Sequence, residues 1–476
     1  MYRQLALSYL IIALAILSPA FATVGRILAQ EYGSESTSVS NEIYPEYHQP
    51  PVESGYLDGN SSIVEPSGYD ASYPEGRVLK YAHEPEYDED GEYRQPTSFA
   101  FANKSTLLVS TKKSGQILAV RTEADLSVEE RTQVVFESGN PSTPFSFGKI
   151  LKVAQGIVAV VEESQSQILI FQFDDQVGSI DKLQMIGSLS APGLPKDLEW
   201  DAANRRLFAS ATWGQRLYVW QLDGEFNQWT RLAEVDLPMC GGQVQLLPKH
   251  DAALVVDAFG RDYAFVSLTD FRVLRHDLLY GHNVTDLAAT EDESMVFFPH
   301  QLINDTARSV TTNITWGGLM SNNLRWLRVD RMLQEEGIEI FKKGKFYPLG
   351  TPGNGAGDPS SLAVSSADQL AVTLAGTNRV AIQEEGESYF WQIDVGFRPV
   401  DCVYSADDAR LFVLCQFSDE VSVVDLKKRE VEHWSLGKLR YPDQVEIGER
   451  LFFSSKLSHD AWMSCHSCHS QGHTNG

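Results

Sequence analysis

Short apolar runs separated by polar turns recur along the chain between residues 97 and 438. Residues 196–200, 207–210 and 216–220 form one set of such runs, and residues 400–404 begin a very similar set. The runs either alternate apolar with polar side chains or are apolar throughout, and they are rich in Val, Leu, Phe and Tyr. This pattern predicts β-strands that are buried on one or both faces.

The sets repeat at a spacing of roughly 40 to 50 residues, which is the repeat length of propeller blades. Seven sets are present, and they begin near Ser98, Phe145, Lys196, Gln243, Val284, Pro359 and Val400. An all-β sequence with this period is typical of a β-propeller, in which each repeat forms one four-stranded sheet. We therefore predict a mainly β fold with a seven-bladed β-propeller over residues 97–438.

The fifth repeat contains an insertion at about residues 304–348, which includes a Trp-Gly-Gly sequence at 316–318. Residues 323–333 within it have partly helical character. Long insertions in repeat proteins lie on one face and often serve function. The insertion could cover a neighbouring domain or the central opening of the propeller. We favour the alternative, in which it is a structural flap.

The pattern changes again at residues 439–476, where we predict the α-helical start of a second domain. Tyr441-Pro442-Asp443 is a helix-opening sequence with proline in the first turn, and the helix is expected to end near Ser454. The apolar residues of this helix are Val445, Ile447, Leu451 and Phe452. Their spacing predicts one apolar face.

This second domain contains the sequence Cys465-His466-Ser467-Cys468-His469, which has the C-x-x-C-H spacing of a c-type haem attachment site. The two intervening residues place both thiols along one porphyrin edge, where each forms a thioether with a vinyl group. The imidazole of His469 then lies under the iron as an axial ligand. His466, as a spacer residue, is expected to face solvent.

Two other chemistries fit the same residues. Cys465, Cys468, His469 and His473 also have a spacing that suits zinc. The two thiols could instead form a disulfide where no haem is attached. His459 and His473 are close enough in sequence to tune a haem, although loop histidines usually have no such role.

Residues 1–22 have the features of a secretory signal peptide. Arg3 supplies the positive charge, an apolar run extends from residue 5 to residue 17, and Ala20-Phe21-Ala22 fits a small-residue cleavage site. An uncleaved membrane anchor is the alternative, although the apolar run is short for a full span. Export agrees with the C-x-x-C-H sequence, since c-type haem is attached outside the cytoplasm in bacteria. We expect a periplasmic or other extracytoplasmic location.

Residues 23–96 are acidic and rich in Tyr, Pro, Gly and Ser. Fifteen acidic against three basic residues lie between positions 31 and 95, which accounts for about half of the net charge of −25. No apolar periodicity is present, so the segment is predicted to be a disordered tether, with an acidic docking arm for a cationic redox partner as the alternative. The strong negative charge argues against nucleic-acid binding.

Two further features are candidate sites. Cys402 and Cys415 lie on neighbouring predicted strands and could form a disulfide, which would leave Cys240 unpaired. Buried free thiols are the alternative. The glycine-rich residues 350–358 lack the Gly-Lys-Ser/Thr ending of a phosphate-binding loop, so we predict a connection between blades.

Residues 445–453, Leu457-Ser458 and residues 463–469 resemble the opening of the bacterial di-haem cytochrome c peroxidase family, which includes methylamine-utilisation haem proteins. The resemblance covers only residues 442–476. The preceding repeats look like the Tyr-Val-Thr-Asn-type propellers that are fused to such domains, with Gly281-His282-Asn283 and residues 298–301 as less specific signs.

The resemblance implies that Cys465 and Cys468 bind haem c covalently and that His469 is an axial ligand of the iron. A second haem is expected only in a full-length relative, because this sequence has one C-x-x-C-H and stops at Gly476. We therefore expect a truncated cytochrome domain and leave the catalytic residues unassigned.

The leading functional hypothesis is an exported haem protein that performs electron transfer or peroxidase-like chemistry. Its partners would be a redox protein or a small electron donor, with peroxide as a possible substrate and no membrane contact except through an uncleaved signal segment. The alternative is a propeller that binds or scaffolds other molecules and whose tail is not a redox centre. A propeller enzyme with its own active site in the central channel is a third hypothesis.

Overall fold

Seven four-stranded antiparallel sheets follow one another along the chain in the computed structural model. The structure describes residues 83–123, 126–139, 144–174, 180–224 and 228–473. The predicted signal peptide and most of the predicted tether lie outside these residues. In every sheet the spatial order of the strands is their order in the sequence, so each blade is one continuous segment.

A short strand, β1 (Tyr87–Glu92), precedes the first blade. Blade 1 contains β2 (Pro96–Asn103), β3 (Thr106–Thr111), β4 (Gln116–Arg121) and β5 (Thr132–Glu137). Blade 2 contains β6 (Phe147–Ala154), β7 (Ile157–Glu162), β8 (Gln167–Gln172) and β9 (Gln184–Ser190). Blade 3 contains β10 (Pro195–Asp201), β11 (Arg206–Ala211), β12 (Arg216–Leu222) and β13 (Trp229–Asp236).

Blade 4 contains β14 (Gly241–Leu247), β15 (Ala252–Asp257), β16 (Asp262–Ser267) and β17 (Val273–Leu278). Blade 5 contains β18 (Ala288–Ala289), β19 (Met295–Ile303), β20 (Met320–Arg328) and β21 (Lys345–Pro348). Blade 6 contains β22 (Pro359–Val364), β23 (Leu370–Leu374), β24 (Arg379–Gln383) and β25 (Phe390–Asp394). Blade 7 contains β26 (Pro399–Tyr404), β27 (Arg410–Cys415), β28 (Glu420–Asp425) and β29 (Glu430–Ser435).

The described part of the chain also contains short helices between strands and one at its C-terminal end. These are α1 (Val128–Arg131), α2 (Thr311–Thr315), α3 (Val329–Gln334), α4 (Gly337–Lys343) and α5 (Gln444–Phe452). No helix among the described residues is both long and apolar enough to cross a membrane.

The blades form a closed ring. The inner strand of each blade contacts the inner strand of the next, and β26 of blade 7 contacts β2 of blade 1. Between blades 7 and 1, Phe99 and Leu107 pack with Phe412 and Trp434 in one buried core cluster. The predicted seven-bladed propeller is therefore confirmed.

Polar residues from every blade line the central channel. One residue of each blade, placed directly before an apolar residue, forms a set that we call the channel ring: Ser98, Lys149, Asp197, Gln243, Asp286, Ser361 and Asp401. They line a cavity of about 370 Å³ together with other residues. The channel ring contains one cationic side chain, Lys149, and three carboxylates.

The three carboxylates of this ring join neighbouring blades. The carboxylate of Asp197 in blade 3 accepts a hydrogen bond from the backbone N–H of Val244 in blade 4 at 2.9 Å. Asp401 in blade 7 accepts from the N–H of Phe99 in blade 1 at 3.2 Å. A hydrogen bond to a charged acceptor is worth about 1.5–3 kcal/mol, so these contacts favour the closed ring. Asp286 in the same way accepts from Leu362 N–H at 2.8 Å.

The segment before blade 1 is ordered in the structure. Strand β1 bridges to Leu439, and the backbone N–H of Glu92 donates to Lys438 O at 2.9 Å. Tyr93 is buried in a cluster with Phe397, Phe417 and Leu439. The prediction of a disordered tether is therefore wrong for residues 83–96. The contacts that order this segment come from the far end of the chain, which local apolar periodicity does not reveal.

The insertion predicted at residues 304–348 is divided by a blade strand. β20 occupies the middle of that range, so the extra residues form two separate excursions, 304–319 and 329–344. The second carries α3 and α4, and Gly337 of α4 donates its N–H to Asp277 on blade 4 at 2.9 Å. This excursion is a structural flap, as we favoured for the whole insertion, whereas the first contacts the C-terminal tail.

Glu199 should make the propeller less stable as pH rises. Burial, with repulsion from Asp197, raises its pKa from 4.5 to about 8. The folded state therefore binds more protons than the unfolded state between these values, and stability falls as pH increases from about 5 to about 8. We expect Glu199→Gln to change the free energy of unfolding more favourably at pH 8.5 than at pH 5. The difference between the two effects should be at least about 1 kcal/mol.

Urea unfolding at both pH values measures this difference. Glu430→Gln, on an exposed position of β29, is the control and should show the same small effect at both pH values. A Glu199→Gln effect that does not depend on pH would contradict the prediction.

Candidate functional site

The C-terminal tail begins with α5, which is capped by a reciprocal pair of hydrogen bonds. Asp443 accepts from the backbone N–H of Glu446 at 2.9 Å, and Glu446 accepts from the N–H of Asp443 at 2.8 Å. Asp443 is thus the N-cap, and Pro442 lies before the helix. The prediction that this proline lies in the first turn is therefore wrong. The capping box fixes where the helix starts.

Helix α5 contacts the propeller through its charged side. The guanidinium of Arg450 donates to Tyr87 Oη at 2.9 Å and to Phe417 O at 2.8 Å. The side chain of Glu446, only 4% exposed, pairs with Arg440 at 2.7 Å and Lys113 at 3.1 Å. The contacts of Glu446 with Lys113 and of Arg450 with Phe417 hold the tail against blades 1 and 7.

The predicted apolar face of α5 is on the outside. Val445 is 79% exposed, Ile447 46% and Leu451 40%. This face lies outside because the ion pairs and the capping box turn the polar side of the helix towards the propeller. The helix therefore presents an apolar surface to solvent.

After α5 the tail crosses the glycine-rich connection between blades 5 and 6. The backbone N–H of Gly355 donates to Asp460 O at 2.5 Å, and that of Gly357 donates to Ala461 O at 3.1 Å. A Cβ on Gly355 would lie 2.6 Å from Trp462 Cα, and a Cβ on Gly357 would overlap the Ser455 hydroxyl. Only glycine allows this close approach. The predicted blade connection is thus also the surface on which the tail packs.

Trp462 is the apolar anchor of the tail. It is 4% exposed, and its ring lies against Gly317 and Gly350. Gly317 belongs to the excursion 304–319, which therefore covers the tail rather than the channel. Full burial of a large aromatic side chain contributes a few kcal/mol, so Trp462 is a main contributor to this contact.

The C-x-x-C-H residues form a single tight turn. The backbone N–H of His469 donates to Cys465 O at 2.9 Å, and that of Cys468 donates to the same carbonyl at 3.3 Å. Cys465 and His469 are exposed, and Cys468 is half-buried. Burial and the charge of Asp358 raise the pKa of the Cys468 thiol. The two thiols and the imidazole predicted to act together are brought into one turn.

The spacer residue Ser467 faces the propeller and is fully buried. Its carbonyl accepts from Asn283 Nδ2 at 2.9 Å, and its hydroxyl accepts from Gln301 Nε2 at 3.2 Å. The nitrogen His282 Nε2 lies 3.3 Å from the same carbonyl. The Gly-His-Asn and Phe-Pro-His-Gln sequences of the propeller therefore hold the C-x-x-C-H turn.

Asp358 is the buried carboxylate beneath this turn. Its Oδ1 accepts from the hydroxyl of Ser467 at 2.5 Å, and its Oδ2 accepts from the hydroxyl of Ser464. Gln301 Nε2 lies 3.2 Å from the same Oδ1. Burial tends to raise the pKa of Asp358, but the nearby His466 ring and the two serine hydroxyls outweigh it and lower the pKa. Asp358 is therefore an ionised acceptor for the turn.

His466 does not face solvent, contrary to our expectation. Its side chain is only 12% exposed, its ring centroid lies 4.9 Å from that of Phe453, and its Nδ1 is 3.8 Å from Asp358 Oδ2. His466 and Phe453 also line the central cavity. The turn is held so tightly by Ser467 that the neighbouring spacer is directed inwards as well.

The other histidines and cysteines of the sequence prediction are placed as follows. The ring of His473 stacks on Phe259 with centroids 4.4 Å apart, and His459 Nδ1 pairs with Asp460 at 2.8 Å. Residues 470–472 form a 3-10 turn rather than a continuing α-helix. All five cysteines are free, so neither Cys402–Cys415 nor Cys465–Cys468 is a disulfide.

The zinc alternative is not supported by the geometry. Within the described part of the chain, Cys465, Cys468, His469 and His473 do not form a group of three ligand atoms within 4.8 Å. His473 is turned away towards Phe259. The donor set that remains is the C-x-x-C-H turn itself.

Sequence reasoning missed most of the groups that hold this turn. Asp358 and Gly357 lay in the glycine-rich segment that we interpreted only as a connection, and Ser464 had no assigned role. The signal available in the sequence was the combination of several glycines followed by one acid within a few residues of a blade start. That combination indicates close backbone approach but not the approaching partner.

Comparison with known proteins adds a family to this part of the chain. Residues 442–476 match the di-haem cytochrome c peroxidase family. The matched span contains α5, the glycine-packed tail and the C-x-x-C-H turn. It agrees with the resemblance noted from the sequence.

Solved structures resemble the chain in fold. Hydrazine synthase from Kuenenia stuttgartiensis has 14% sequence identity and a TM-score of 0.54, over 74% of this chain and 99% of that chain. A catalytically inactive virginiamycin B lyase from Staphylococcus aureus, solved with quinupristin, has 11% identity and a TM-score of 0.49, over 71% and 97% of the two chains. The first likeness supports the propeller fold. No curated protein matches the chain in sequence.

Gly357→Ala should displace the tail from the propeller. The added methyl group would overlap Ser455, whose backbone N–H is bonded to Gly376 O at 2.8 Å and which therefore has no freedom to retreat. We expect faster amide hydrogen exchange in residues 455–470 by at least about tenfold, equivalent to about 1.4 kcal/mol, with little change in the blades. Mass spectrometry of proteolytic fragments measures both.

Gly448→Ala in α5 is the matched control, because a Cβ there meets no atom within 4 Å. It should leave exchange of the tail unchanged or slow it slightly, since alanine favours helix. Equal exchange in the two variants would contradict the proposed packing of the tail on Gly357.

Proposed function

We propose that this chain is a c-type haem protein with a redox function, in which the propeller holds the haem-binding turn at one end of its central channel. The observation that carries the proposal is the orientation of the C-x-x-C-H turn. Cys465 and His469 face outwards, while Ser467 and His466 are held inwards. The match of residues 442–476 to the di-haem cytochrome c peroxidase family supports the same chemistry.

The residues present fit the group that this family implies. Cys465 and Cys468 would form the two thioether bonds, and His469 would be the axial ligand of the iron. Both thiols are free, and both belong to the turn closed by hydrogen bonds to Cys465 O. A bound haem c supplies an iron that changes its oxidation state by one electron.

The residues of the propeller would keep the turn in one position. Asp358 holds two serine hydroxyls on either side of Cys465, and Asn283 holds the carbonyl of Ser467. Partners outside the ligand set orient ligands and are typically worth about 10–100-fold in affinity or activity. Trp462, buried against glycines of the propeller, would hold the segment that leads into the turn.

Within this redox function, electron transfer and peroxidase-like chemistry are both compatible with the donor set. The partner would be a redox protein or a small electron donor, and peroxide would be the substrate of the second activity. The predicted signal peptide at residues 1–22 and the extracytoplasmic attachment of c-type haem support export.

Covalent haem should depend on both thiols. In a host that matures c-type cytochromes, we expect wild-type protein to retain haem under denaturing conditions and to give the pyridine haemochrome spectrum of two thioethers. Cys465→Ala and Cys468→Ala should each give at most a single-thioether spectrum at lower yield, and the double variant should retain no covalent haem.

Cys240→Ser is the control, because this free thiol belongs to the propeller and should not affect haem content. Wild-type protein without covalent haem would refute the proposal. It would favour the alternative of a propeller that binds or scaffolds other molecules.

Carbon monoxide should distinguish the two redox activities. His459 is paired with Asp460, and His473 is stacked on Phe259, so neither is positioned to be a second axial ligand. We therefore expect the ferrous protein to bind carbon monoxide with a shift of the Soret band, as for a haem with one protein ligand. His473→Ala and His459→Ala should leave the shift unchanged. An unreactive ferrous haem would favour electron transfer alone.

A further inference from the structure

A second group of potential metal ligands lies at the junction of blade 7 and the N-terminal segment. It consists of His83, Glu420 and His433, whose ligand atoms all lie within 4.8 Å of one another. Among the residues that the structure describes, no other three His, Cys, Asp or Glu side chains converge in this way. The group shares no residue with the C-x-x-C-H turn.

The sheet register brings two of the three residues together. Glu420 begins β28, and His433 on β29 is paired with Ser422, two residues further along β28. Alternate residues of a strand share a face, so Glu420, Ser422 and the paired His433 lie on the same side of blade 7. The third residue, His83, reaches the group from the segment before blade 1.

The carboxylate of Glu420 contacts one nitrogen of each imidazole. His83 Nε2 is 3.0 Å from Glu420 Oε2, and His433 Nδ1 is 2.7 Å from Glu420 Oε1. The imidazole rings are stacked, with centroids 3.7 Å apart and planes inclined by 8°. The three ligand atoms are thus close enough for one ion to replace the hydrogen bonds between them.

The surroundings keep the carboxylate in place. The Ser422 hydroxyl donates to Glu420 Oε1 at 2.9 Å and accepts from Gly396 N–H at 3.1 Å. A Cβ on Gly396 would overlap Glu420 Oε1, so only glycine leaves room for this side chain. Such second contacts orient ligands in metal sites. Glu420 is 3% exposed, whereas His83 and His433 are 30% and 24% exposed, which leaves an entry path from solvent.

The charges favour a cation. Two stacked imidazoles would repel each other if both were protonated, and one carboxylate balances only one of them. A divalent ion between neutral imidazoles and the carboxylate avoids this repulsion. His276 and Asp262, 2.6 Å apart on blade 4, show an ordinary exposed pair that lacks the second imidazole.

We propose that His83, Glu420 and His433 bind one divalent transition-metal ion, with zinc as the best match. Two histidines and one glutamate are a known set of protein ligands for zinc, with a further position for water. The ion would join the segment before blade 1 to blade 7, across the place where the ring closes. The proposal does not depend on haem attachment.

The test uses the full chain with Cys465→Ala and Cys468→Ala, so that thiolates cannot bind the ion. Chelator-treated protein is titrated with Zn²⁺ by calorimetry and with Co²⁺ by visible spectroscopy. We expect one ion per chain, weak cobalt bands without thiolate charge transfer, and a higher melting temperature with Zn²⁺. His433→Gln and His83→Gln should each weaken binding by more than about 100-fold, which exceeds the effect typical of residues that only orient the ligands.

His276→Gln is the matched control and should bind as the parent does. His83 is partly exposed on the terminal segment, so His83→Gln decides the question even where a blade variant fails to fold. The absence of saturable Zn²⁺ and Co²⁺ binding would overturn the proposal. Binding that is unchanged in His83→Gln would also overturn it, by assigning the ion to other residues.

Discussion

The position of the C-x-x-C-H turn depends on one buried carboxylate. Asp358 stands at the start of blade 6 and accepts hydrogen bonds from Ser464 and Ser467, which directly precede Cys465 and Cys468. Leaving a buried charge without partners is costly, so this group and the turn stabilise each other. Gly355 and Gly357, just before blade 6's first strand, then allow the tail to lie directly on the propeller backbone. The propeller is therefore a support shaped for this particular tail.

The repeats were predictable from sequence because the evidence for them is local. Each blade carries its own apolar runs and turn residues, and the spacing of the runs reveals the fold without knowledge of any long-range contact. The C-x-x-C-H turn was predictable for the same reason, since its chemistry is contained in five consecutive residues.

Other features could not be predicted because they arise from residues far apart in sequence. Helix α5 has an apolar side by periodicity, yet Arg450 and Glu446 turn its polar side towards the propeller. His466 was expected to face solvent, but the hydrogen bonds that hold Ser467 direct the His466 side chain into the protein. Strand β1 and the adjoining Tyr93 are ordered by contacts with distant residues such as Leu439. In each case a long-range polar or aromatic contact outweighs the local pattern.

The continuity of each blade has a topological consequence. Many ring-shaped folds complete one blade with strands from both ends of the chain, and the ends are then interlocked. Here blade 1 and blade 7 each contain four consecutive strands. The seam between them differs from the other six junctions mainly in lacking a covalent link. The order of the blades along the chain could therefore be permuted without loss of any within-blade pairing, whereas the tail must still follow the blade next to which it packs.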